Sequence, residues 1–145
     1  IARYLCGTPP VIQVAALECG IDSVLAAEPL GGMDALRSKS LALTECFMRL
    51  VAERCDSLHM ITPHESPHRG SQVSLTRTDG AYAIVQALIA RGVIGDFRAP
   101  DVLRFGFTPL YTRFVDAWDA VEHLHQVLES SGWKEARFNK KAAVT

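Results

Sequence analysis

Arg104 is the residue best placed to do chemistry. It stands in Leu103-Arg104-Phe105-Gly106-Phe107-Thr108-Pro109-Leu110-Tyr111-Thr112, a stretch that alternates as a strand does. Leu103, Phe105 and Phe107 fall on one face and belong to a core, while Arg104, Gly106 and Thr108 fall on the other. A glycine beside the arginine leaves room for something to approach, and Pro109, which lacks a backbone donor, ends the strand. A guanidinium held on a rigid strand beside open space is a planar fork suited to a carboxylate or a phosphate. A salt bridge to a neighbouring Asp or Glu uses the same fork, and spacing alone does not separate the two readings.

A second candidate is Gly7-Thr8, followed by Pro9-Pro10. A hydroxyl at a helix start, with free backbone donors and the positive end of the helix dipole, suits a phosphate; a plain N-cap is the simpler use of the same threonine. His64 and His68 have the i, i+4 spacing of a metal pair, but Pro63 and Pro67 forbid a regular helix there and no third ligand lies near in sequence, so no metal site is assigned. His123 and His125 are two apart and do not face together on a helix; His125 reads as a satisfied core or interface histidine. No G-x-S-x-G and no Cys with a His partner marks a nucleophile. Gly31-Gly32 lacks the lysine and Ser/Thr of a phosphate loop.

The elements that position these residues follow from periodicity and punctuation. Thr8 as N-cap opens a helix from Val11 to Gly20, extended by Ile21 to Ala27, and so apolar all round that it must be buried against its own chain or a second subunit. Pro29 and Gly31-Gly32 break the chain, which divides it into residues 1–30 and 31–145. Met33 to Cys55 is the clearest helix, with Leu36, Ser40, Leu43, Phe47 and Leu50 in one stripe. Strands are expected at Leu58 to Thr62, at Ser71 to Arg77, from Val93-Ile94, and at the Arg104 stretch. A helix from Ala81 to Arg91 ends on Gly92. The last helix, Arg113 to Ser130, is expected to bury Phe114, Trp118, Val121, His125 and Leu128. The basic tail with Lys134, Arg137, Lys140 and Lys141 reads as a solvated end. The fold class is α+β: a small antiparallel or mixed sheet with helices on one face.

With 145 residues the chain can bury a real core, and 48% hydrophobic against 21% charged residues is ordinary globular composition. A net charge of −1 argues against general nucleic-acid binding. No apolar run is long enough to span a bilayer. Cys6, Cys19, Cys46 and Cys55 include no C-x-x-C, and Cys46 and Cys55 on one helix would lie about 13 Å apart, so reduced thiols in a cytoplasmic protein are expected. Ile1-Ala2-Arg3 carries neither initiating methionine nor leader, as though cut from a longer protein.

Several long stretches, in order, resemble bacterial kynureninases: Leu5-Cys6-Gly7-Thr8-Pro9-Pro10, Leu36 to Thr44, Ile61-Thr62-Pro63, Arg69-Gly70-Ser71-Gln72-Val73-Ser74, Gln86 to Asp96, Leu103 to Thr112 and Trp118-Asp119-Ala120-Val121. The resemblance implies the small C-terminal domain of a dimeric fold-type-I pyridoxal 5'-phosphate enzyme, preceded by a linking helix. It implies a hydrolase that cleaves the Cβ–Cγ bond of L-kynurenine, or of 3-hydroxykynurenine, to anthranilate or 3-hydroxyanthranilate and L-alanine, in tryptophan catabolism and NAD biosynthesis. Arg104 would pair with the substrate α-carboxylate, and Thr8, with Gly7 allowing close approach, would contact the cofactor phosphate of the neighbouring subunit. No catalytic residue is carried over: Lys39, Lys134, Lys140 and Lys141 do not match the context of the family's Schiff-base lysine, so the 145 residues by themselves should be inactive. Two further readings remain open, the equivalent piece of a related pyridoxal-phosphate enzyme such as a cysteine-desulfurase relative, and a stand-alone module that binds a carboxylate or a partner and catalyses nothing.

Overall fold

The computed structural model describes residues 7–140. Cys6, with the start of the Leu5 to Pro10 stretch, and Lys141 lie outside them. The chain forms two compact units that divide after Ser38, inside a continuous helix.

In the first unit, α1 spans Val11–Leu25. Its N-cap is Pro10, and no side chain caps it. Thr8 is therefore not the cap, a correction with a steric cause: a residue followed by proline is pushed out of the helical region, so neither Thr8 nor Pro9 can join the first turn. No residue of α1 is buried; Val11, Ile12 and Leu17 are all largely exposed, so the described chain does not cover the helix as expected. A 3-10 turn at Glu28–Leu30 follows, and Gly31 at φ 104° completes the reversal. The second helix, α2, runs Gly32–Arg54 and crosses into the second unit.

The second unit carries the core. Four strands among the described residues, β1 (His59–Met60), β2 (Gln72–Thr76), β3 (Asp96–Arg98) and β4 (Val102–Gly106), form an antiparallel sheet in the order β1-β2-β4-β3. Strict alternation sends Val73, Leu75, Leu103 and Phe105 inward, where Phe47 of α2 packs between the rings of Phe105 and Phe107 with centroids 5.1 and 4.9 Å away. The helix α3 (Ala81–Ile89) adds Ile84 and Leu88 to the same core. Gly92, at φ 85°, ends its last turn where a left-handed residue was expected.

The α4 helix (Phe114–Glu129) buries Ala117, Val121, Leu124 and Val127. The expected face was partly wrong. Phe114 and Trp118 are about half exposed, because the helix turns its smaller apolar residues to the tightly packed core. Trp118 instead lies under Arg54, whose Cζ is 5.5 Å from the ring centroid. Arg54 also pairs with Glu122 at 2.5 Å, and its carbonyl meets His125 Nδ1 at 2.8 Å, so His125 is satisfied where α2 ends.

The tail is not a solvated end. A 3-10 turn (Gly132–Lys134) and α5 (Ala136–Asn139) return it to the body, burying Trp133 and Phe138. Trp133 lies flat over Gly80, the left-handed residue (φ 72°) that starts α3, and Arg77 and Lys134 stand over its ring at 5.2 and 5.4 Å. Basic composition concealed two aromatic anchors.

Candidate functional site

The helices cover one face of the sheet, which leaves the other polar. Along that face the register places Ser74 opposite Arg104 and Arg104 opposite Asp96. The side chain of Arg104 is 28% exposed, and its guanidinium donates from Nε to Asp96 Oδ2 at 3.0 Å and from Nη2 to the same oxygen. Arg98, two residues along β3 and on the same face, brings its Nε within 3.2 Å of that oxygen. The hydrogen bond from Arg104, reinforced by both guanidinium charges, holds the Asp96 carboxyl below its ordinary value, so it is ionised at neutral pH. Arg104 Nη1 has no hydrogen-bond partner among the described residues. Beside it, a side chain at Gly106 would meet nothing within 4 Å, and Ser74 is small, its hydroxyl accepting from Gln72 Nε2 at 3.0 Å.

Of the two sequence readings of Arg104, the structure shows the ion pair, made with Asp96, and the place of a side chain at Gly106 beside it is open. At the end of β4 a separate cleft of ≈ 140 Å³, lined by Phe105, Gly106, Phe107, Thr112, Asp116 and Ala120 among others, does not include Arg104. Lys39 steadies the segment after β4, donating from Nζ to the Pro109 carbonyl at 2.7 Å.

Gly7 and Thr8 belong to the other unit and are exposed. Gly7 has φ 83°, a conformation a side chain would resist. The first bond within α1 is from the Val14 amide to the Pro10 carbonyl at 3.0 Å, so the amides of Val11, Ile12 and Gln13 have no acceptor within the helix. No acidic residue occupies this first turn; Thr8, Pro9, Val11, Val14, Ala15 and Glu18 line a mostly apolar hollow of ≈ 360 Å³. The helix-start donors fit an anion, with Glu18 the one acidic residue of the lining.

Three residues were not singled out from sequence. Asp96 was missed because its pairing with Arg104 depends on the register of β3 against β4, which a single chain does not display. Arg98 follows from Asp96, once β3 is known to start two residues after Ile94. Arg69 is buried: its Nη2 reaches Glu45 at 2.7 Å, its Nε lies 3.4 Å from the Thr44 hydroxyl, and its Nη1 donates to the His64 carbonyl, tying the loop before β2 to α2.

Residues 36–124 match the family model described as "Kynureninase C-terminal domain". The chain belongs to the kynureninase family. Its whole length is 52% identical over 147 residues to the kynureninase of Burkholderia mallei (strain SAVP1) and 50% identical to that of Pseudomonas fluorescens. In both cases the chain spans 34% of the relative's length. A solved structure of a C-DES mutant, with glycine covalently linked to its PLP cofactor, superposes with a TM-score of 0.58 at 18% identity, over 70% of this chain and 26% of that one. At that identity the likeness concerns the fold: the α+β kynureninase domain shares the architecture of a cofactor-bearing protein.

Proposed function

We propose that this chain is the substrate-carboxylate side, and part of the phosphate contact, of a pyridoxal 5'-phosphate-dependent kynureninase that hydrolyses L-kynurenine or its 3-hydroxy analogue to an anthranilate and L-alanine. The observation that carries the reading is the Arg104 guanidinium on an open polar sheet face, with donor capacity left over, in a chain of this family. Arg104 would hold the α-carboxylate and so fix the orientation of the bonds at Cα; its part would be orientation, not that of the base. Residues 31–145 would be the small domain, and residues 1–30 would extend the cofactor-binding part. When bound, the cofactor supplies an electron sink for the carbanion formed from the amino acid.

Its phosphate fits the Gly7-Thr8 segment by donor chemistry: a hydroxyl and helix-start amides, with no acidic residue in the first turn and Glu18 one turn further along the same hollow. The uncovered apolar residues of α1 favour a homodimer in which this segment crosses to the other subunit. Cys19, Cys46 and Cys55 are free thiols, as suits a cytoplasmic enzyme, and burial pushes the Cys55 thiol up to about 11, which leaves it unreactive. No helix among the described residues is long and apolar enough to cross a membrane.

The full-length protein with pyridoxal phosphate should convert L-kynurenine to anthranilate and L-alanine in equal amounts; no release of either product overturns the reading. Thr8→Ala should loosen the cofactor about ten-fold, the worth of one charge-assisted hydrogen bond. Equal cofactor retention by parent and variant after dialysis would remove Thr8 from the phosphate site.

A further inference from the structure

We propose that Asp96 is a positioning residue: it grips Arg104 by one edge of the guanidinium and so presents the other edge to the carboxylate of an amino-acid ligand. The inference rests on the carboxylate role proposed above for Arg104.

A guanidinium has two edges that each offer a parallel pair of N–H donors, Nε with Nη2 and Nη1 with Nη2. Asp96 takes the first, since Nε and Nη2 both donate to its Oδ2. The second edge keeps Nη1, which no described residue meets. Because Asp96 and Arg104 face each other directly across paired strands, the grip comes from two backbone positions fixed by the β3–β4 ladder. An arginine without it would lose rotamer freedom on meeting its ligand, at a cost in affinity.

The charges point the same way. Arg98 and Arg104 share the single carboxylate of Asp96, while the neighbouring Gln72, Ser74 and Thr76 on β2 are neutral. Two positive charges against one negative leave this patch one anion short. Gly106 and Ser74 put no bulk over the free edge. A monocarboxylate arriving there adds to the Asp96 contact and does not replace it.

That last point gives the test a sign. If Asp96 positions Arg104, removing its charge weakens substrate binding; if Asp96 competes for the guanidinium, removal strengthens it. In the complete, cofactor-loaded enzyme, Asp96→Asn preserves shape and should raise KM for L-kynurenine about ten-fold, with kcat changed less than about three-fold. KM for the carboxamide of L-kynurenine should stay at the parent value. In an Arg104→Ala background, Asp96→Asn should have no further effect on KM. A KM that is unchanged or lowered by Asp96→Asn, while Arg104→Ala raises it, overturns the positioning role and leaves the carboxylate reading intact. An equal loss for acid and amide, additive in the double variant, shows a merely structural residue and also overturns it. No effect of Arg104→Ala on KM removes the carboxylate reading, and this inference with it.

Discussion

Arg104→Ala in the full-length enzyme should lower kcat/KM for L-kynurenine about 100-fold, chiefly through KM. The magnitude follows from two hydrogen bonds between charged partners, together worth about 3 kcal/mol after the desolvation of both groups. The carboxylate is bound before, during and after bond cleavage, so most of its binding energy is uniform and appears in KM. A smaller loss in kcat should accompany it, because a ligand free to pivot spends less time with its Cα bonds correctly aligned. Arg104→Lys should recover little, since an ammonium cannot offer two parallel donors. The fold should survive the change: Asp96 keeps Arg98 at 3.2 Å, and a partly exposed ion pair contributes under about 1 kcal/mol. Steady-state kinetics with the acid and the carboxamide decide the matter, and a kcat/KM within two-fold of the parent would eliminate the assignment.

Gly80→Ala should be the most damaging small substitution in the second unit. Two costs combine. The backbone at φ 72° is left-handed, which charges an alanine about 1 kcal/mol. The new Cβ would lie 2.2 Å from the nearest atom of the Trp133 ring, and the next two ring atoms are at 2.5 and 2.8 Å, so the ring must leave its seat. Losing a good part of an aromatic side chain's packing costs about 2 kcal/mol more. The sum, about 3 kcal/mol, corresponds to a melting point lower by roughly 10 °C for a unit of this size. Thermal melting of the two proteins side by side is sufficient, and a shift under 2 °C would show that Trp133 does not seal the start of α3. The effect should appear in stability and leave KM for L-kynurenine near the parent value.

The contrast between these two positions shows what the sequence could and could not reveal. Arg104 was legible because a strand's period of two leaves a visible mark, Leu103 and Phe105 against Arg104 and Gly106, and a proline closes it. The α2 stripe was legible for a similar reason: Leu43, Phe47 and Leu50 recur at helical spacing and all reach the core. On α4 the signal was ambiguous, because apolar residues surround much of the helix and the largest, Phe114 and Trp118, were not those turned inward. The partnership of Trp133 with Gly80 joins residues 53 positions apart, and nothing local records it. Asp96 is a milder case of the same kind, since only strand register places it against Arg104. At Thr8 the expected cap did not form: two successive prolines delay the helix by longer than a cap can reach.

The edge position of β3 has a further consequence. Among the described residues nothing pairs with its outer side, so its backbone groups there could recruit a foreign strand. The strand is only three residues long, and two of them, Asp96 and Arg98, are charged. Short length and fixed charge are what blunt such an edge against aggregation. The same two side chains that furnish a ligand patch therefore also guard solubility, and a substitution that neutralises both together should cost yield on expression before it costs turnover.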